Sequence, residues 1–243
     1  MYKMNVILRR FECLPSTNDY AKEQRALEQD MAVLADRQSG GKGTKGRSFS
    51  SELGGLYLTL LRFYQDLPAN RAFTVMTTAA AAVCKTLEDI GLVPQIKWPN
   101  DVYVGGKKIC GILIENTFSG NRVRCSIVGI GLNIYNELPQ ELQDIATSVF
   151  EQTGKRYEVD EFAQKLLGYL YDENTAKAYF SYLGWIGEPI VILQGDKRIF
   201  ARFHSVDSQG NLVAQIDGEE RRFSAAEISL RINTDKVQTN ENE

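Results

Sequence analysis

Short apolar runs broken by glycine, asparagine and serine dominate the first half of the chain, with one long helical period among them. Val6-Ile7-Leu8 reads as a strand. Ser16-Thr17-Asn18 ahead of Asp19 to Leu27 reads as a helix start, because a hydroxyl there accepts from the orphan N–H groups of the first turn. Met31 to Ala35 and Leu56 to Leu61 are apolar strands, and Asn70 to Ile90 is helical, with Ala79 to Ala82 allowing close approach of a neighbour. Gln95 to Trp98 is β, stopped by Pro99-Asn100-Asp101. Val102 to Val104 then turns through Gly105-Gly106, a positive-φ pair suited to a two-residue hairpin, and returns along Lys108 to Glu115. Arg122 to Asn133 is a further candidate for strand pairing, and helical patterns cover Ile145 to Thr153 and Val159 to Leu183.

After Gly184 the texture changes. Pro189 to Gln194, Arg198 to Val206, Leu212 to Ile216 and Glu220 to Phe223 are short strands divided by glycine turns, which predicts a small barrel. The pattern as a whole predicts an α+β fold: a mixed sheet with helices over residues 1–186, a β-barrel over 187–233, and a polar tail over 234–243.

Composition narrows the class. Of 243 residues 43% are apolar, and no run approaches the roughly 18 apolar residues of a spanning helix. The start, with Asn5, Arg9 and Arg10, lacks the apolar core of a signal peptide. These features lead to the expectation of an unexported cytoplasmic protein with no membrane partner. Four dispersed cysteines and one histidine, His204, exclude a disulfide framework and a His-rich metal site. A net charge of −3 argues against protein-wide attraction to nucleic acid.

One segment runs against that charge. Between Asp36 and Ser48, Arg37, Lys42, Lys45 and Arg47 oppose Asp36 alone, giving +3 in a stretch holding glycines 40, 41, 43 and 46. Gly41-x-Gly43-x-x-Gly46 fits a dinucleotide fingerprint and lies one residue from a Walker A loop, yet neither reading has the helix that must follow the last glycine. Backbone N–H groups and cations still suit a phosphate-bearing ligand, and a solvated loop is the alternative. Lys107 and Lys108 point to opposite faces of an otherwise apolar strand, so one of them shares a face with core residues, or else snorkels at the hairpin end. Asp101 at a strand end serves a metal or ligand, or only the turn. Gly129 and Gly131, two apart in a strand, open a slot for a flat ligand or for a close backbone contact. Phe49 is a stacking platform or a core anchor, and Cys110 a small core residue.

Taken in order, Ser16-Thr17-Asn18, Gln38-x-x-Gly41-Lys42-Gly43-x-x-Gly46-Arg47, Lys97-Trp98-Pro99-Asn100-Asp101, Lys108-x-x-Gly111 and Gly129-x-Gly131-x-Asn133 resemble the catalytic core of biotin protein ligases. The resemblance spans about 120 residues and continues in Ala226-Glu227-Ile228-Ser229-Leu230, where the family has Gly before Glu. It implies a core like that of class II aminoacyl-tRNA synthetases followed by an SH3-like barrel. It also implies an enzyme that joins biotin to ATP, with magnesium, and passes the biotinyl group to a lysine of a biotin carboxyl carrier protein.

The resemblance further implies that Ser16, Thr17, Asn18 and Gln38, with Gly41, Lys42, Lys108, Gly111, Gly129 and Gly131, hold biotin. Lys42, Gly43, Thr44, Arg47, Phe49, Asn100 and Asn133 would hold the nucleotide, and Asp101 the magnesium. Lys108, Lys42 and Arg47 would carry the catalysis by offsetting the repulsion of carboxylate and triphosphate. The glycine loop would close over a hydrolysable mixed anhydride. Family members often have a second basic residue where Thr44 stands, so the adenylate is held less firmly here unless Lys45 substitutes. Nothing upstream of Ser16 can encode a helix-turn-helix, so no DNA partner is expected, and family members occur as monomers or homodimers. A lipoate ligase or octanoyl transferase on a related core, or a non-catalytic biotin or adenylate binder, are the alternatives.

Overall fold

The structure, a computed structural model, describes residues 6–232. Two compact units emerge. One takes the described residues up to Ile96 together with Asn100–Tyr182, and the other takes Lys97–Pro99 with the described residues from Leu183 onward. The expected tail, 234–243, lies outside the described residues.

The first unit is built on a seven-stranded mixed sheet. Its strands are β1 (Ile7–Leu14), β2 (Met31–Gln38), β3 (Leu56–Pro68), β4 (Gln95–Lys97), β5 (Asp101–Val104), β6 (Lys107–Ser119) and β7 (Arg122–Leu132), in the order β1-β2-β3-β7-β6-β5-β4. The pairings β2–β3, β3–β7, β7–β6 and β6–β5 are antiparallel, whereas strand β1 pairs with β2 in parallel. That pair is bridged by α1 (Thr17–Glu23), as a parallel connection requires a crossover. Helix α1 packs on β2, β3 and β7, where Ala21, Met31, Val33, Leu61, Cys125 and Ile127 form a buried cluster. Helix α2 (Phe73–Glu88) crosses the opposite face, its alanines at 79 to 82 fully buried as the spacing predicts. Positive φ at Gly105 and Gly106 closes the β5–β6 hairpin.

Three helical expectations change. The first helix begins at Thr17 rather than Asp19 and tightens to a 3₁₀ turn over Gln24–Leu27. In place of a helix from Ile145, residues 145–147 run alongside β6: Lys108 N–H donates to Ile145 O (2.9 Å) and Thr147 N–H donates to Lys108 O (2.9 Å). The helix α3 (Val149–Thr153) starts only where Ser148 and Glu151 form a capping box. The final helix divides into α4 (Val159–Tyr171) and a 3₁₀ segment, Thr175–Tyr182, because Asp172 Oδ1 captures the Asn174 N–H (2.9 Å).

The second unit carries a five-stranded antiparallel sheet. Strands β8 (Pro189–Gln194), β9 (Lys197–Val206), β10 (Leu212–Ile216) and β11 (Glu219–Phe223) occupy the predicted positions. A fifth, β12 (Ser229–Ile232), pairs with β8 and gives the order β11-β10-β9-β8-β12, consistent with an SH3-like barrel. Trp98 belongs to this unit and is buried, its Nε1–H donating to Gly210 O at 3.0 Å. His204, a barrel residue with no partner evident from sequence, pairs with Glu220 at 3.1 Å. Cys84, Cys110 and Cys125 are buried thiols and Cys13 is exposed. Burial pushes the Cys110 thiol up, which fits a small core residue. Among the described residues no helix is long and apolar enough to cross a membrane.

Candidate active site

The register of the sheet builds the site. Tyr57 on β3 faces Gly131 on β7, Gly131 faces Gly111 on β6, and Gly111 faces Asp101 on β5. One pleat along, Thr59 faces Gly129, which faces Leu113. Since side chains two apart share a face, both rows lie on the side covered by α1. The row of glycines is therefore a floor without side chains.

Two side chains lie on that floor. A Cβ at Gly131 would come 2.6 Å from the Phe49 ring, and one at Gly129 would come 2.1 Å from Asn18 Oδ1. The slot anticipated between the glycines is thus the seat of Phe49 and Asn18. Phe49 also meets Tyr57 edge-on, with ring centroids 6.5 Å apart.

At the α1 end the network is neutral and buried. Ser16 caps α1, its Oγ accepting from Asp19 N–H at 3.3 Å. Gln38 Oε1 accepts from Thr17 N–H (2.8 Å), and Gln38 Nε2 donates to Ser51 Oγ (2.9 Å), which itself donates to Phe49 O (3.1 Å). Thr59 Oγ1 lies 2.8 Å from Thr17 Oγ1 and 2.6 Å from Asn18 Oδ1. Thr59 Oγ1 donates its one proton to the carboxamide oxygen, and the Thr17 hydroxyl bridges Thr59 Oγ1 and Gln38 Oε1 (3.1 Å). The amide of Asn18 is thereby fixed with Nδ2 turned away, buried and without a hydrogen-bond partner. A buried donor left open is costly unless something else accepts from it.

Charge gathers at the other end. Lys108 Nζ sits 2.7 Å from Asp101 Oδ1, and a Cβ at Gly111 would lie 3.2 Å from that Nζ. Strict alternation from Gly111 would send Lys108 to the opposite face. The bulge between Val102 and Tyr103, where Val102 pairs with Cys110 but Tyr103 with Lys108, brings it onto the glycine face. Lys107, by contrast, donates to Gln143 O at 2.7 Å. Tyr103, half-buried and beside the Asp101 carboxylate, has its pKa pushed up to about 12, first by desolvation and then by that charge, with Arg47 opposing in part.

The glycine loop is folded on itself. Gly43 N–H donates to Arg47 O (2.7 Å) and Phe49 N–H to Gly41 O (2.9 Å). Gly41 admits no side chain, since its Cβ would meet Phe49 O at 2.3 Å and Ser51 Oγ at 2.5 Å. Lys42 Nζ pairs with Asp19 at 2.7 Å. Arg47 reaches back to Thr44 through Nε to the carbonyl (3.2 Å) and Nη2 to Oγ1 (3.0 Å).

Most of the singled-out residues therefore converge: Ser16, Thr17, Asn18, Gln38, Gly41 and Gly129 at the neutral end, and Phe49, Gly111, Gly131, Asp101 and Lys108 at the charged end. Asn100 and Asn133 sit apart in role. Asn100 Nδ2 donates to Ile112 O (2.7 Å), while buried Asn133 donates to Thr147 O (3.0 Å) and accepts from Asn136 (3.2 Å), so both amides secure backbone. Four residues escaped the sequence reading: Thr59, Ser51, Tyr57 and Asp19. Thr59 carried a signal, as the single aliphatic hydroxyl inside the run Leu56 to Leu61. Among the described residues no group of three or more His, Cys, Asp or Glu side chains could hold a metal. Asp101, already paired with Lys108, does not form a resident metal site alone.

Comparisons with known proteins bear on the family and the fold. The profile described as the biotin/lipoate A/B protein ligase family matches residues 10–133, and that of the biotin protein ligase C-terminal domain matches residues 185–231. The chain belongs to the biotin/lipoate A/B protein ligase family, in its biotin protein ligase branch. The bifunctional ligase/repressor BirA of Bacillus spizizenii is 36% identical over 215 residues, covering 82% of this chain and 65% of that protein. The biotin–acetyl-CoA-carboxylase ligase of Paracoccus denitrificans is 28% identical over 217 residues, covering 81% of this chain and 88% of its own. Biotin protein ligase from Aquifex aeolicus, solved in complex with biotin and ATP, superposes with a TM-score of 0.73 at 28% identity, covering 94% of this chain and 99% of that one. The chain spans 65% of the length of the two Bacillus relatives.

Proposed function

We propose that this protein activates biotin with ATP and transfers the biotinyl group to a lysine of a biotin carboxyl carrier protein, in the cytoplasm. The observation that carries the reading is the polarity of the glycine floor: a neutral hydrogen-bond network at one end, and Lys108 beside Asp101 with Arg47 near Tyr103 at the other. Biotin has the same polarity, a ureido group at one end and a carboxylate at the other. The open Asn18 Nδ2 fits a ligand acceptor such as a ureido oxygen, with Thr17 and Gln38 beside it.

In the first step the biotin carboxylate attacks the α-phosphorus of ATP, forming the acyl–phosphate bond and releasing pyrophosphate. Two anions must meet, so cations placed beforehand lower the barrier. Lys108 and Lys42 would exchange Asp101 and Asp19 for substrate anions, and Arg47 would leave Thr44 for the phosphates. Magnesium enters as the metal of the nucleotide, with Asp101 freed to reach it. Phe49, lying across Gly131 and Gly111, would yield its place to or stack on the adenine. In the second step the neutral amine of the carrier lysine attacks the acyl carbon, AMP leaves, and one proton is lost from the amine. Between the steps the Gly40 to Ser51 loop would cover the mixed anhydride and exclude water.

Mass spectrometry of a carrier domain incubated with the protein, biotin and MgATP tests this, together with biotin-dependent ATP–pyrophosphate exchange. A covalent adduct on one lysine and exchange that requires biotin are expected. Exchange that requires lipoate instead would identify the alternative ligase, and tight biotin binding without exchange would identify a binder.

A further inference from the structure

The face of the sheet turned away from the glycine floor carries a second cavity, of about 400 Å³, between β3, β7, α2 and the end of α4. Leu60, Val75, Val128 and Leu170 supply apolar lining, and Tyr64 and Tyr171 supply aromatic wall. The Arg62 guanidinium stands between the two rings, 4.7 Å from the Tyr171 centroid and 5.5 Å from that of Tyr64. It donates to Leu170 O at 2.8 Å. No Asp or Glu among the described residues pairs with it. Nearby Asp30 is spent elsewhere, accepting from Tyr171 OH (2.7 Å) and Phe63 N–H (2.8 Å).

The charge count points the same way. Arg62, Arg71 and Lys177 line the cavity against Asp172 and Glu173, a balance of three against two, or +1. Asp172 is further committed to the Asn174 N–H. A half-buried guanidinium without a carboxylate is stabilised by an anion, and its planar fork matches a carboxylate in two parallel hydrogen bonds. Stacking between two rings holds that fork in place before any ligand arrives, which lowers the entropic cost of binding. The volume lies within the usual range for small-molecule sites, roughly 300–1,000 Å³.

We propose that this cavity is a second binding site, for a small organic monocarboxylate with an apolar or aromatic body. The site is independent of the reaction on the other face, from which it is separated by the thickness of the sheet: Leu60 and Val128 face it, while Thr59 and Gly129 face away.

The test is methyl NMR of the full chain titrated with 3-phenylpropanoate and, separately, with uncharged 3-phenylpropanol. Saturable shifts at the methyls of Leu60, Val75, Val128 and Leu170 are expected with the acid, at concentrations at least tenfold below those the alcohol needs. Arg62→Met should abolish the preference for the acid, and Arg62→Lys, which keeps the charge but not the fork, should retain part of it. Equal response to acid and alcohol, no saturable shift, or shifts confined to the methyls of Thr17 and Thr59 on the other face would each overturn the proposal. Should Arg62→Met fail to fold, the two probes on the native protein and on Arg62→Lys decide the matter.

Discussion

Replacing Thr59 with valine keeps the side-chain volume and removes one hydroxyl. In the structure that hydroxyl, fully buried, serves both Thr17 Oγ1 at 2.8 Å and Asn18 Oδ1 at 2.6 Å. Each neutral hydrogen bond contributes about 1 kcal/mol net, and a buried acceptor left open costs about 1–3 kcal/mol. The loss should total about 3 kcal/mol, which for a protein of this size lowers the thermal midpoint by roughly 6–12 °C. The amide of Asn18 also loses its fixed orientation, so biotin should bind about tenfold more weakly, equivalent to one hydrogen bond of about 1.4 kcal/mol. Calorimetric melting and titration with biotin measure the two effects. Thr59→Ser is the control: it keeps both hydrogen bonds, and should bind biotin within about twofold of the native protein. If Thr59→Val melts and binds as the native protein does, the relay from Thr17 to Asn18 has no energetic role and the account of the neutral end is wrong.

Further outcomes follow from the same geometry. Lys108→Met should lower biotin-dependent ATP–pyrophosphate exchange by about 10²–10³ while biotin binding changes far less, as for loss of a group that acts on developing charge; parallel loss of both would make Lys108 a binding residue only. Gly129→Ala should displace Asn18, whose Oδ1 would lie 2.1 Å from the new methyl, and abolish measurable biotin binding in a titration that Gly168→Ala, with open space around it, leaves intact. Thr44→Arg should slow dissociation of biotinyl-adenylate, and an unchanged off-rate in a trapping assay would show that this position does not grip the intermediate. Tyr103 has its folded pKa raised to about 12, first by burial and then by Asp101. A raised pKa gives stability that is complete below the unfolded value of about 10 and fades as pH climbs toward the folded one. Denaturant unfolding should therefore show stability falling between pH 10 and 12, with a shallower fall in Tyr103→Phe.

Much of the site could be read along the chain. The glycine loop, Ser16 at a helix start, Lys108 in an apolar strand and the Gly129–Gly131 pair are each local departures from a period, and local departures are visible in a sequence. The helix boundaries were less legible, because partners far away in the chain decide them. Nothing between Ile145 and Thr147 forbids a helix, and only hydrogen bonds to Lys108 hold that stretch extended. Strand β12 was missed for the same reason: four residues acquire their state from β8.

The sequence by itself determined the alternation that makes a mixed sheet, the cation-rich loop and the residue types that a carboxylate and a phosphate require. Tertiary structure decided which of them face one another. The register of β3, β7 and β6 turns three separate glycines into one floor, and a single bulge brings Lys108 onto it, because pairing between distant strands is not encoded in either strand alone. Thr59 became part of the site only through that pairing, which sets its hydroxyl against Asn18 from 41 residues away.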